Sequence, residues 1–230
     1  MTVVVNPYIP LSSAADRDKF LSLVRDVALE TQANEPQCLA YCWTTSASET
    51  DRSADSPALI QGLEVYATKE ALAVMHRSGA AYKQMRGVVA STNLLTYPKG
   101  GVPLYRPAGG GFLSKAGVSE TVGPEEYFVI LKYIVRGGDA ISRVLREERT
   151  LADELRSNEG VFAVWCFVPE GKAEEEEEEV SIALLIRLRG VGDYAGAVEE
   201  SVGQFEARVS REGIEQTMFW GGHGFGFFRQ

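Results

Sequence analysis

Histidine and cysteine are scarce in this chain, two and three residues in 230. Cys38, Cys42 and Cys166 are odd in number and each sits inside an apolar run, which argues against a disulfide framework. No CxxC or Cys/His spacing offers a zinc ligand set, so no metal is expected. Positive charge is in deficit: 23 Lys+Arg stand against 32 Asp+Glu, a net charge of −9. Six of those negative charges form one run, Glu174 to Glu179, a solvated hairpin tip, and without it the chain still carries −3. With no basic stripe, nothing could displace the counterions of a nucleic acid or an anionic membrane surface, and neither is expected as a partner. No apolar run approaches the ~20 residues that span a bilayer. The start, Met1 to Tyr8, lacks the basic flank and apolar core of a signal peptide, so the expected location is the cytoplasm. Gly109-Gly110-Gly111 lacks the Lys-Ser/Thr of a phosphate loop, and with no haem, flavin or metal motif elsewhere no cofactor is expected.

What is present is ordinary globular material, 45% hydrophobic and 24% charged. Val3 to Pro10 is a β-branched run. Asp16 to Thr31 has helical spacing, with Phe20, Val24, Val27 and Ala28 on one stripe and Ser12 or Ser13 as cap. Cys38 to Thr45 and Leu59 to Tyr66 read as strands around a polar loop, Ser46 to Pro57. Thr68 to about Val89 reads as a helix with a break near Gly79, and Asn93 to Tyr97 as a closing strand. The same order recurs: strand Tyr127 to Arg136, helix Asp139 to Ser157, strand Val161 to Val168, polar loop Pro169 to Glu179, strand Ser181 to Leu188, helix Gly192 to Arg211 and strand Gln216 to Trp220.

The halves superpose at an offset of 123 positions, Cys38 with Val161, Leu59 with Ile182, Tyr82 with Phe205 and Tyr97 with Trp220. This pattern predicts an α+β protein of two tandem ferredoxin-like β-α-β-β-α-β repeats. The middle strands are apolar on both faces, and helices can cover only one face of each sheet. The expectation is two repeats packed sheet to sheet as a barrel within one chain. Residues 1–97 form one half, 98–124 a Gly/Pro-rich connection, and 125–230 the second, diverged half.

His76 is the most informative polar residue. It lies one turn beyond Leu72, beside the buried stripe, where it is either a core-edge histidine or a general base at a cavity mouth. Its counterpart in the second half is Glu199, so a working cavity belongs to the first half. Glu64 and Tyr66 share a strand face, and their counterparts are Arg187 and Arg189. Glu64 either orients a polar group in the cavity or pairs with one of those guanidinium groups. Tyr41 and Trp43 share a face of the neighbouring strand and are candidates for an aromatic pocket wall or plain core. The tail Gly221 to Phe228, which holds the second histidine, His223, either folds over a pocket or is an ordinary C-terminal extension.

The stretch Glu64-Val-Tyr-Ala-Thr-Lys-Glu-Ala-Leu-Ala-Val-Met-His76-Arg-Ser78 resembles the antibiotic biosynthesis monooxygenase family, and Glu35 to Tyr41 resembles that family's turn into its second strand. The resemblance implies a dimeric α/β barrel, here supplied by one chain with a possible homodimer of that chain. It implies a cofactor-independent oxygenase acting on an aromatic or polyketide-type small molecule of secondary metabolism. His76 would be the base, Tyr66 would hydrogen-bond the substrate oxygen, and Trp43, Tyr41 and Glu64 would contact the substrate. Relatives on this barrel also run redox-neutral cyclisation, isomerisation or decarboxylation. A duplicated barrel with only a binding or stress-related role is the non-catalytic alternative. Haem-degrading members of the superfamily carry a first-strand Asn and a helix His, matched by Asn6 and His76, but Tyr66 stands where their Trp belongs.

Overall fold

Apolar periodicity and capping chemistry set the elements of the computed structural model, which describes residues 1–46, 58–95, 102, 104–170, 179–211 and 213–229. Loop residues 47–57 and 171–178, and with them most of the acidic run, lie outside the described residues. The chain divides into two compact units, neither contiguous in sequence. The first comprises Met1–Leu104, Ser119–Pro124 and Gly222–Arg229, and the second Tyr105–Val118 and Glu125–Gly221. Against the expected division, residues 222–229 fall in the first unit instead of the second half, and the connection at 98–124 is shared between the two units.

The first unit starts with β1 (Val3–Val5) and β2 (Tyr8–Leu11), both antiparallel to β4 (Ala58–Tyr66). Between them, α1 (Ala14–Asn34) is opened by Ser13, whose hydroxyl accepts from the Asp16 N–H, an N-cap that satisfies an orphan donor. Phe20, Val24, Val27 and Ala28 form its buried stripe. β3 (Cys38–Ser46) pairs antiparallel with β4, Tyr41 opposite Glu64 and Trp43 opposite Gly62. After β4 the chain enters a π-helical segment, Ala71–His76, then breaks at Gly79 and resumes as α2 (Ala80–Thr92).

The strand expected at Asn93 to Tyr97 is not formed at its start. Asn93 closes α2 in the left-handed conformation (φ 51°), which Asn tolerates better than most residues, and Leu94 and Leu95 are buried outside any strand. Thr96 and Tyr97 lie outside the described residues. The sheet instead gains a strand from the C-terminus. β9 (Gln216–Phe228) contributes its second part, which runs antiparallel to β3 from Ser46↔Gly222 to Ala40↔Phe228. The tail is thus a strand and not a loose extension. Its alternation of glycine with larger residues is period two, and Gly226 shows why: φ is 135° and a Cβ there would lie 1.9 Å from the Tyr41 carbonyl oxygen.

The second unit contains β6 (Tyr127–Arg136), α3 (Gly138–Arg156), β7 (Val161–Pro169), β8 (Glu179–Leu188), α4 (Glu199–Ser210) and the first part of β9. Its strands run in the order β7-β8-β6-β9, with the β-α-β-β-α-β sequence of a ferredoxin-like fold. β7 begins and ends 123 positions after β3. The Gly/Pro-rich connection is not wholly loop: within it lies β5 (Leu104–Phe112), antiparallel to β7 with an irregularity between Pro107 and Gly111. Burial of Tyr105, Ala108 and Phe112 offsets the poor strand propensity of its Pro and Gly residues.

Candidate functional site

Alternation along β3 puts Tyr41 and Trp43 on one face, towards α1, where Phe20 meets the Trp43 indole edge-on at 5.3 Å. The indole needs an empty place on β4, and Gly62 provides it: a Cβ there would stand 3.0 Å from the ring and 2.9 Å from Pro7. His76 ends the π-helical segment and is 1% exposed, with Ala71 and Leu72 buried on the same side. Single π-helical turns recur at functional sites. Across the break at Gly79, the Glu30 carboxylate of α1 accepts from the N–H groups of Ala80 (2.9 Å) and Ala81 (2.5 Å), capping α2 and anchoring the turn that carries His76.

His76 is polarised from one side only. Its Nδ1 lies 3.2 and 3.3 Å from the two carboxylate oxygens of Glu35 and 3.4 Å from the Thr31 hydroxyl, which itself donates to Glu35 at 3.1 Å. A carboxylate accepts hydrogen bonds and cannot donate them, so this contact assigns the proton to Nδ1 and leaves the lone pair on Nε2. Nε2 is buried and has no hydrogen-bond partner among the described residues. The rings of Tyr41, Tyr66 and Tyr82 surround the imidazole at 5.5, 5.3 and 4.8 Å.

His76, Tyr41, Trp43 and Glu64 line one cavity of about 480 Å³ in the first unit, with Phe20 and Tyr82 as further aromatic wall. Tyr66 does not reach it. The Tyr66 hydroxyl donates to Glu64 at 2.9 Å, and its ring stands beside His76. Burial raises the Glu64 carboxyl above the usual carboxylate range. Burial, and after it the nearby Glu64 carboxylate, holds the Tyr41 and Tyr66 hydroxyls well above the usual phenol value, so both remain donors. Burial likewise pushes the Cys38 thiol up, which makes it inert.

Glu35, Thr31 and Tyr82 were not visible as site residues in the sequence. One signal for Glu35 existed: an acidic residue at the C-terminus of a helix opposes the macrodipole and needs a partner. Arg229 ties the end of α1 to the start of β3: its guanidinium donates to the carbonyl oxygens of Gln32 (2.7 Å) and Cys38 (2.8 Å). In the second unit the Arg187 guanidinium is buried against Glu126 at 2.5 and 3.0 Å, and Arg189 pairs with Asp193 at 2.6 Å. Glu199, the counterpart of His76, is exposed on α4. Asn6 is engaged in the sheet, donating to the Gly62 carbonyl (2.7 Å) and accepting from Gln61 (3.1 Å), and is not on the cavity wall. His223 faces Thr45 in the β3–β9 register, also away from that wall. Among the described residues no group of three or more His, Cys, Asp or Glu could hold a metal ion, and no helix is long and apolar enough to cross a membrane.

No family model matches the chain. No curated protein matches it either. Solved structures do. A candidate monooxygenase from Lactobacillus acidophilus NCFM is 12% identical, with 98% of this chain and 93% of that chain covered and a TM-score of 0.65. A candidate monooxygenase from Fusobacterium nucleatum subsp. nucleatum is 9% identical, with 99% and 93% covered and a TM-score of 0.68. An anthrone oxidase-like protein is 11% identical, with 99% and 91% covered and a TM-score of 0.56. At such identities the likeness establishes a shared fold and nothing about chemistry.

Proposed function

We propose that this chain is a cofactor-independent monooxygenase-like enzyme that acts on an aromatic or polyketide-type small molecule of secondary metabolism. One observation carries the reading: the Glu35–His76 pair stands in the wall of an aromatic-lined cavity, with Nε2 unpartnered among the described residues. A substrate with an acidic C–H or O–H, such as an anthrone or a polycyclic phenol, loses its proton to Nε2. The Glu35 carboxylate stabilises the imidazolium that forms. The delocalised anion passes one electron to O₂, and the resulting substrate radical and superoxide combine, taking back the proton, as a hydroperoxide. At an anthrone-type methylene, loss of water then leaves a carbonyl, so CH₂ and O₂ become C=O and H₂O. Tyr66 acts through Glu64: its hydroxyl donates to that carboxyl group and fixes it at the cavity wall.

The fold shared with the anthrone oxidase-like protein supports this reading, and the engagement of Asn6 within the sheet counts against a haem-degrading one. The same base in the same cavity would also serve redox-neutral cyclisation, isomerisation or decarboxylation, while a binding barrel would need no base at all. The reading includes a homodimer of the chain, which sedimentation checks. The deciding experiment is oxygen uptake with anthrone as probe. His76→Ala is expected to lose roughly 10²–10⁴-fold in turnover with an unchanged melting curve. Uptake by His76→Ala at the wild-type rate would refute the assignment, turnover under argon would select the redox-neutral chemistry, and binding without turnover would select the binding barrel.

A further inference from the structure

A glycine in the middle of a buried strand weakens pairing and leaves nothing to pack, and it often marks a close approach by another group. Gly62 is buried in β4 opposite Trp43, yet its backbone has no positive φ that would demand glycine. The matching position in the second unit, 123 residues on, is Leu185, buried in β8. What glycine supplies at 62 is therefore room and not conformation. The indole takes that room: a Cβ on Gly62 would stand 3.0 Å from Cη2 and from Cζ2 of its outer ring, and 2.9 Å from Pro7 Cγ. Trp43 and Pro7 both line the cavity, whereas Gly62 does not. Contacts that short are not sustained in a close-packed interior, so a side chain at 62 would displace one of the two. Pro7 is tied down, since its carbonyl oxygen accepts from the Gly62 N–H at 2.9 Å and the neighbouring Asn6 amide donates to the Gly62 carbonyl at 2.7 Å. The indole turns about two side-chain bonds, and Phe20 packs edge-on against it at 5.3 Å. A displaced ring moves towards void and not into packed atoms, and the void beside Trp43 is the cavity.

We propose that Gly62 determines specificity through Trp43, holding the indole back against β4 so that the cavity admits a flat system of three fused rings. This deepens the function proposed above and rests on it for an aromatic ligand. Phe20 and Pro7 flank the indole, so the wall there is hydrocarbon and suits ring carbon better than a polar group. At about 480 Å³ the cavity falls in the lower part of the ~300–1,000 Å³ range of small-molecule sites, where the place of one ring is a sizeable share of the space.

Binding to the full chain under argon, where oxidation cannot intervene, tests this. The probes are 2-naphthol and 2-anthrol, phenols that differ by one fused ring, each followed by its own fluorescence. Gly62→Ala is expected to weaken 2-anthrol by roughly tenfold or more, the scale on which a hydrophobic pocket registers one carbon too many, and 2-naphthol by less than about twofold. Trp43→Phe removes the indole's outer ring. Added to Gly62→Ala it should restore 2-anthrol binding, and alone, where nothing clashes, it should raise the affinity for four-ring 1-hydroxypyrene relative to 2-anthrol. Gly87→Ala, on α2 where an added Cβ meets nothing within 4 Å, should change neither probe. Equal effects of Gly62→Ala on 2-naphthol and 2-anthrol, no effect on either, or no rescue by Trp43→Phe would overturn the proposal and leave the monooxygenase reading standing. Should Gly62→Ala not fold, Trp43→Phe alone decides: an unchanged ratio of 1-hydroxypyrene to 2-anthrol overturns the proposal and a raised one supports it. Failure of the wild type to bind any of the three probes would overturn the proposal and the monooxygenase reading together.

Discussion

Glu148 lies on the apolar stripe of α3 with Val144, Leu151 and Leu155, and is 1% exposed. The Cys166 thiol donates to one of its carboxyl oxygens, and the other has no partner among the described residues. Burial raises its pKa from 4.5 to about 8, the thiol contact opposing the shift without cancelling it. In the unfolded chain the group ionises near 4.5, so between that pH and about 8 the folded state binds more protons than the unfolded one. Stability must then fall as pH rises across this window and level off above it. At 1.36 kcal/mol for each pH unit the full loss is about 4–5 kcal/mol. Glu148→Gln keeps an acceptor for the thiol and cannot ionise, so it should escape that loss. The assay is urea unfolding of wild type and variant from pH 5 to pH 9, compared as a difference so that unrelated titrations cancel. The advantage of the variant should grow steadily to about pH 8 and then stay constant. Parallel stability curves for the two proteins would show that Glu148 is ionised in the folded state, and the reasoning would fail.

Gly226→Ala should cost about 3–4 kcal/mol in unfolding free energy, from a strained positive φ and loss of about two ladder hydrogen bonds to β3; a melting point within a degree of wild type would contradict it. Arg229→Met removes the guanidinium that donates to the Gln32 carbonyl of α1 and to the Glu35 carbonyl at its end, and is expected to lower stability by about 1–2 kcal/mol and anthrone turnover through kcat, because Glu35 loses its backbone anchor. A change confined to KM would speak against that positioning role. Lys132, on β6, has a pKa lowered to about 8 by burial, so its ionised form penalises folding below that pH. Lys132→Met should stabilise the protein at pH 7, with an advantage that fades as pH rises from about 8 towards 10.5, read from the same urea curves.

Local pattern was enough for the elements whose burial repeats within a few residues. The stripe of Phe20, Val24, Val27 and Ala28, the two-sided burial of β3 and β4, and the helix break at Gly79 all follow from periodicity or from one residue's backbone preference. Those same periods put Tyr41, Trp43, Glu64 and His76 near one another. What pattern could not supply was any choice made between distant segments. The Gly-rich tail offers weak propensity in isolation and becomes a strand only because β3 stands ready to pair with it; the Pro/Gly stretch that forms β5 depends on β7 in the same way. The tail then delivers Arg229 to the Cys38 carbonyl, 191 positions away, where it closes the helix that ends at Glu35. Periodicity placed His76 facing inward, but the carboxylate beside its Nδ1, and the bond from the Tyr66 hydroxyl to Glu64, are matters of ångströms between side chains. Distances of that kind have no signature in spacing along a chain, because they are fixed by packing among residues that meet only once the fold is closed.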